Sequence, residues 1–66
     1  MSVAKIVEIS ATSNESFDDA IRCGLKRADT TLKNVKGAWI KEQHVRVVDD
    51  GLEYQVNMLV TFVLED

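Results

Sequence analysis

The sequence predicts an α+β protein of β-α-β-β order, a three-stranded antiparallel sheet partly wrapped around one helix. Three observations carry this. The stretches from Val3 to Thr12 and from Leu52 to Glu65 alternate with period two, the pattern of a pleated surface. Between them Phe17, Ala20, Ile21, Gly24, Leu25, Ala28 and Leu32 recur at spacings of three and four, one stripe of an amphipathic helix. Asp49-Asp50-Gly51 then separates two strand-like stretches, and Asp-Gly is a strong hairpin dipeptide.

The first strand, Val3 to Thr12, places Val3, Lys5, Val7 and Ile9 on one face and Ala4, Ile6, Glu8 and Ser10 on the other. The polar run Thr12-Ser13-Asn14-Glu15 breaks it. Ser16 can cap the free N–H groups of the helix, with Asp19 at the capping-box position. Asp18 and Asp19 suit the positive end of the helix dipole, and Lys33 and Lys36 the negative end. Gly24 lies on the apolar stripe, where it costs about 1 kcal/mol relative to Ala; close approach of helix to sheet would offset that. Asn34 and Gly37 are expected to end the helix.

The second strand, Ala38 to Asp49, is less regular. Strict alternation puts Trp39, Lys41, Gln43, Val45 and Val47 on one face and Ala38, Ile40, Glu42, His44, Arg46 and Val48 on the other, and neither is cleanly apolar. The third strand has an unbroken apolar face of Leu52, Tyr54, Val56, Met58, Val60, Phe62 and Leu64. The connections place this strand in the middle, antiparallel to both neighbours. Its ~14 residues span ~48 Å, whereas a helix of ~17 residues spans ~26 Å. The sheet must therefore curl around the helix or overhang it, and Leu59 and Val63 on the second face need another subunit to bury them.

Size and composition point the same way. A chain of 66 residues is expected to form a single domain over 1–66. Domains below roughly 70–80 residues seldom gain more than ~3–5 kcal/mol from one core and are usually stapled by disulfides, a metal or oligomerisation. A lone cysteine, Cys23, excludes an intrachain disulfide and suits a reducing cytoplasm. The balance of 8 Lys+Arg against 11 Asp+Glu, net −3, argues against nucleic acid as a partner. No apolar run approaches the ~20 residues of a membrane span, and the first residues do not read as a signal peptide.

Candidate functional residues are few. Trp39, the only tryptophan, stands where helix gives way to hairpin; it could meet the core, a neighbouring subunit or a flat ligand. Gln55 reads on its own as a solvated strand residue. Arg46 suits a salt bridge across an interface or a phosphate contact, and Lys5 a solvated strand position or a phosphate contact. His44 and Cys23 lack a second His or Cys at ligand spacing, so neither a metal site nor a catalytic one is expected. Cys23 borders the apolar stripe and is expected as a small buried or interfacial hydrophobe. Phe17 and Phe62 are expected in the core, as is Tyr54 with its hydroxyl reaching an edge. Asp49-Asp50 and Glu65-Asp66 read as turn and terminus, able at most to hold weak packing cations at symmetry axes.

Ser13-Asn14-Glu15-Ser16-Phe17 before the helix, Trp39 just after it, and Tyr54-Gln55-Val56 in the last strand together resemble the dodecin family over essentially the whole chain. The resemblance implies a hollow homododecamer of small flavin-binding subunits. Flavins would stack in pairs between tryptophans at two-fold axes, with a glutamine at the ring edge, stored and quenched instead of turned over. The matching residues are Trp39 for stacking and Gln55 for the ring edge. Arg46 stands where bacterial members often carry an arginine near the flavin, which favours FMN; riboflavin and FAD are the alternatives. Ala11 departs from the glycine many members carry before Thr-Ser, and its effect is expected at the strand–helix turn. The competing reading is a structural shell with another flat ligand or none. A flavoenzyme is disfavoured, because the sequence holds no acid–base or nucleophile constellation.

Overall fold

The computed structural model describes residues 2–64, so the expected strand residue Glu65 and the Glu65-Asp66 pair lie outside the described residues. The order is β1 (Val3–Ser13), α1 (Phe17–Asp29), β2 (Val35–Val48) and β3 (Gly51–Leu64). The sheet runs β1-β3-β2 with both pairings antiparallel, as the connections predict.

Helix α1 starts where its cap chemistry dictates. The Ser16 hydroxyl accepts from the Asp19 N–H at 2.9 Å, and the Asp19 carboxylate accepts from the Ser13 hydroxyl at 2.6 Å. The C-terminus is a correction. The helix stops at Asp29, short of Asn34, because two threonines offer the backbone a competing arrangement. Thr30 Oγ1 donates to the Arg27 carbonyl at 2.7 Å and Thr31 Oγ1 to the Ala28 carbonyl at 3.3 Å. Asn34 does take the left-handed conformation (φ 62°), but it turns the chain into β2, and its carbonyl accepts from the Val63 N–H at 3.1 Å. Strand β2 accordingly begins at Val35, before the expected Ala38, and Gly37 lies within it.

The core lies where α1 crosses β1 and β3. Val56, Met58 and Val60, alternate residues of β3, are fully buried with Ala20, and Ala28 joins them. Ile9, Ala11, Phe17, Ile21, Leu25 and Leu32 pack around this cluster. Phe17 meets Tyr54 edge to face, centroids 5.0 Å apart. Cys23 does not join: its side chain is exposed, at a groove between α1 and β1 also lined by Ile9 and Ala11.

Gly24 permits the close approach. A Cβ built there would overlap Met58 Cε and would lie 2.9 Å from Ala11 Cβ. Met58 can swing its methyl aside; Ala11 is fixed to the strand backbone. Ala11, two residues before the end of β1, thus also bears on helix–sheet packing.

Thirteen helical residues reach only ~20 Å, while the molecule is 49 Å long. Both ends of the sheet overhang. Val3 and Leu64 at one end, and Val45, Val47, Val48 and Leu52 at the hairpin, are exposed large apolar residues. In the hairpin turn Asp49 and Asp50 keep negative φ, and the unusual conformation falls on Gly51 (φ 149°).

Gly24→Ala is expected to lose about 1–3 kcal/mol through overpacking, outweighing the ~1 kcal/mol helix-propensity gain of that change elsewhere. Denaturation midpoints at matched protein concentration measure it. A raised midpoint would show that the helix sits less tightly on Ala11 than the geometry says.

Candidate functional site

Two irregularities in β2 shape the exposed face of the sheet. The register shifts between Val35 and Gly37 and again between Ile40 and Glu42, so that Lys36 and Lys41 are extra residues with no partner on β3. A bulge of this kind reverses the alternation beyond it. Trp39 pairs with Leu59, and past Lys41 Glu42 pairs with Asn57, His44 with Gln55 and Arg46 with Glu53. Directly paired residues share a face. Trp39, Glu42, His44 and Arg46 therefore lie together on the side away from α1, while Ile40, Gln43, Val45 and Val47 fall on the helix side. This corrects the strict alternation expected of β2, which separated Trp39 from Arg46.

Trp39 is 69% exposed and takes no part in the core. Of its three expected settings the core is eliminated, leaving a neighbouring subunit or a flat ligand. The indole borders an open depression with Lys36, Gly37, Ala38 and Thr61. Lys41 reaches across the same face to ion-pair with Glu8 of β1, 3.3 Å to either carboxylate oxygen.

Gln55, half-buried, lies on this face between Thr12 of β1 and His44 of β2. Its Nε2 donates to Ser10 Oγ at 3.0 Å and to Asn57 Oδ1 at 3.4 Å, and Asn57 Nδ2 donates to Glu42 Oε1 at 3.3 Å. Glu42, Gln43, His44, Gln55 and Asn57 line a second depression. Gln55 and Leu59, the partner of Trp39, are four residues apart on β3, roughly 13 Å. A flat ligand meeting both side chains lies lengthwise along β3 or takes one of them from a second copy.

Arg46 has a partner in its own chain: Nη1 lies 3.0 Å from Glu53 Oε1, with both side chains partly exposed. Lys5 pairs with Phe62 and so stands on the helix side of the sheet. Trp39, Gln55 and Arg46 are thus brought to one face, and Lys5 is not.

A flat aromatic plate beside a row of side-chain amides can stack on a planar ring and read the donors and acceptors along its edge. The family model described as Dodecin matches residues 3–65. The chain belongs to the dodecin family. A dodecin from Thermus thermophilus is 38% identical over 65 residues, covering 97% of this chain and 94% of its own. A crystal structure of a protein from the same organism superposes with a TM-score of 0.93 at 37% identity, covering 100% of this chain and 98% of its own. A calcium dodecin from Mycobacterium tuberculosis, solved with a calcium-binding site, superposes at 0.83 with 26% identity, covering 96% of this chain and 91% of its own. Membership of the dodecin family implies an oligomeric assembly and a small ligand. Among the described residues no three His, Cys, Asp or Glu side chains gather as a metal site within one subunit, and no helix is long and apolar enough to cross a membrane.

Sequence reasoning missed Ser10, Glu42 and Asn57 as neighbours of Gln55. One signal was available. The inward apolar residues of β2 change phase, Ala38 and Ile40 being even-numbered and Val45 and Val47 odd, which marks an extra residue between them.

An exposed ion pair contributes about 0–1 kcal/mol, so Arg46→Ala and Glu53→Ala are each expected to change stability by less than about 1 kcal/mol in denaturation at matched concentration. A loss of about 3 kcal/mol or more would place the pair in a buried subunit interface.

Proposed function

We propose that this chain forms a cytoplasmic homododecamer that stores flavin, with FMN as the favoured form, and holds it quenched. Trp39 stacks on the isoalloxazine, a second copy's tryptophan closes the other side of a flavin pair, and Gln55 binds the ring edge. The observation that carries the reading is the exposure of Trp39 on the face it shares with Gln55. An indole left largely in water by its own fold presents a ready-made plate for a large planar ring. Stacking of this kind places an electron donor against the excited flavin and quenches its emission.

Assembly has support of its own. Exposed apolar side chains at both ends of the sheet are surface that neighbouring copies would bury. Arg46 favours a phosphorylated flavin only in part, because Glu53 already balances its charge within the chain. Lys5, on the other side of the sheet, enters the reading only as a contribution from a neighbouring copy. The role is binding and not turnover, since a paired, stacked flavin leaves no room for a substrate beside it.

Titration of FMN, read by flavin emission, tests this with the wild-type protein and Trp39→Ala. Wild type is expected to quench saturably. The variant is expected to bind about tenfold or more weakly while keeping its sedimentation mass. Dissociation of the particle together with loss of binding would make Trp39 a packing residue. Unchanged quenching in the variant would remove it from the site.

A further inference from the structure

The hydrogen bonds around Gln55 have a direction, and one group sets it. A carboxylate can only accept, so Asn57 must turn its NH₂ toward Glu42; the observed bond, Nδ2 to Oε1 at 3.3 Å, has that sense. Asn57 Oδ1 then faces the other way and accepts from Gln55 Nε2 at 3.4 Å. The Ser10 hydroxyl, able to donate or accept, follows by taking the same NH₂ group at 3.0 Å. With its nitrogen occupied by two partners, Gln55 is left with its carbonyl oxygen to offer to a ligand. A free glutamine offers either end of its amide; this one is oriented.

We propose that Glu42 and Asn57, with Ser10, are positioning residues that lock Gln55 as a hydrogen-bond acceptor, so that the site selects planar ligands carrying an N–H on the edge that meets it. This deepens the flavin reading and rests on it. In oxidised isoalloxazine the only ring N–H is the imide N3–H, flanked by two carbonyls; N1 and N5 accept, and N10 carries the side chain. An acceptor-only Gln55 therefore pairs with N3–H and repels an edge that shows only acceptors. The relay crosses all three strands, from Ser10 on β1 through Gln55 and Asn57 on β3 to Glu42 on β2. It is in phase only because the Lys41 bulge puts Glu42 opposite Asn57.

The test compares dissociation constants for riboflavin and 3-methylriboflavin, neither of which carries a phosphate. It uses wild type, Glu42→Gln, and the double variant Glu42→Gln/Asn57→Asp. Wild type is expected to prefer riboflavin by about tenfold. In Glu42→Gln the amide of residue 42 accepts or donates equally well, Asn57 and Gln55 are free to reverse, and the preference is expected to fall about threefold or more. In the double variant a carboxylate at position 57 again accepts from Gln55, and the wild-type preference returns. A merely structural role for Glu42 would weaken both flavins alike and leave their ratio unchanged, and that result overturns the proposal. If wild type binds neither flavin, the flavin reading fails on its own. The relay is then decided on the unliganded protein by NMR of the Gln55 side-chain NH₂. Those resonances are expected to move in Glu42→Gln and return in the double variant; no movement overturns the proposal.

Discussion

Lys41 is one residue more than β3 can match, and the face presented by this molecule depends on that surplus. Were Lys41 paired as an ordinary strand residue, strict alternation would send Trp39 and Arg46 to opposite sides of the sheet. With the surplus, the buried side of β2 changes phase, and Trp39, Glu42, His44 and Arg46 line up across from Leu59, Asn57, Gln55 and Glu53. In that phase Trp39 and the residue paired with Gln55, His44, share the face away from α1. The bulge also lets Lys41 cross to Glu8, pinning the tryptophan end of the sheet to β1 by a solvent-exposed ion pair.

The second constraint is a mismatch of lengths. A thirteen-residue helix covers under half of a sheet with fourteen-residue strands. Its contact is tight where it exists, because Gly24 and Ala11 let the backbones approach and Met58 fills the remaining space. Beyond that contact the inner face of the sheet is bare, and Val45, Val47 and Leu52 stand in water. A monomer so built leaves much of its apolar surface unburied, which is why membership in a family of assemblies fits the energetics of the chain and not just its sequence.

Much of this was legible in the sequence, and the failures have physical causes. The β-α-β-β order and the central position of β3 followed from Val56, Met58 and Val60 alternating within a long apolar run, and from the 3–4 spacing of Ala20, Gly24 and Ala28. The helix end was misplaced because Asn34 looks like a C-cap, whereas Thr30 and Thr31 stop the helix by side-chain bonds that leave little mark in hydropathy. The faces of β2 were misassigned because a bulge has no residue signature beyond a phase slip between Ile40 and Val45. Trp39 stands out as the only tryptophan and Gln55 only through family resemblance, but their shared face required the register. Ser10, Glu42 and Asn57 could not be connected to Gln55 without cross-strand pairing, since 45 residues separate Ser10 from Gln55.

The central claim is that a flavin site is completed when copies of this chain assemble. Native mass spectrometry of the protein over rising FMN concentrations addresses it most directly, because it reads particle size and flavin number in the same ion. The expected spectrum contains a homododecamer that fills toward one flavin per chain, with no flavin on dissociated single chains. Flavin retained by single chains, or an assembled particle that stays empty at saturating FMN, would contradict the account.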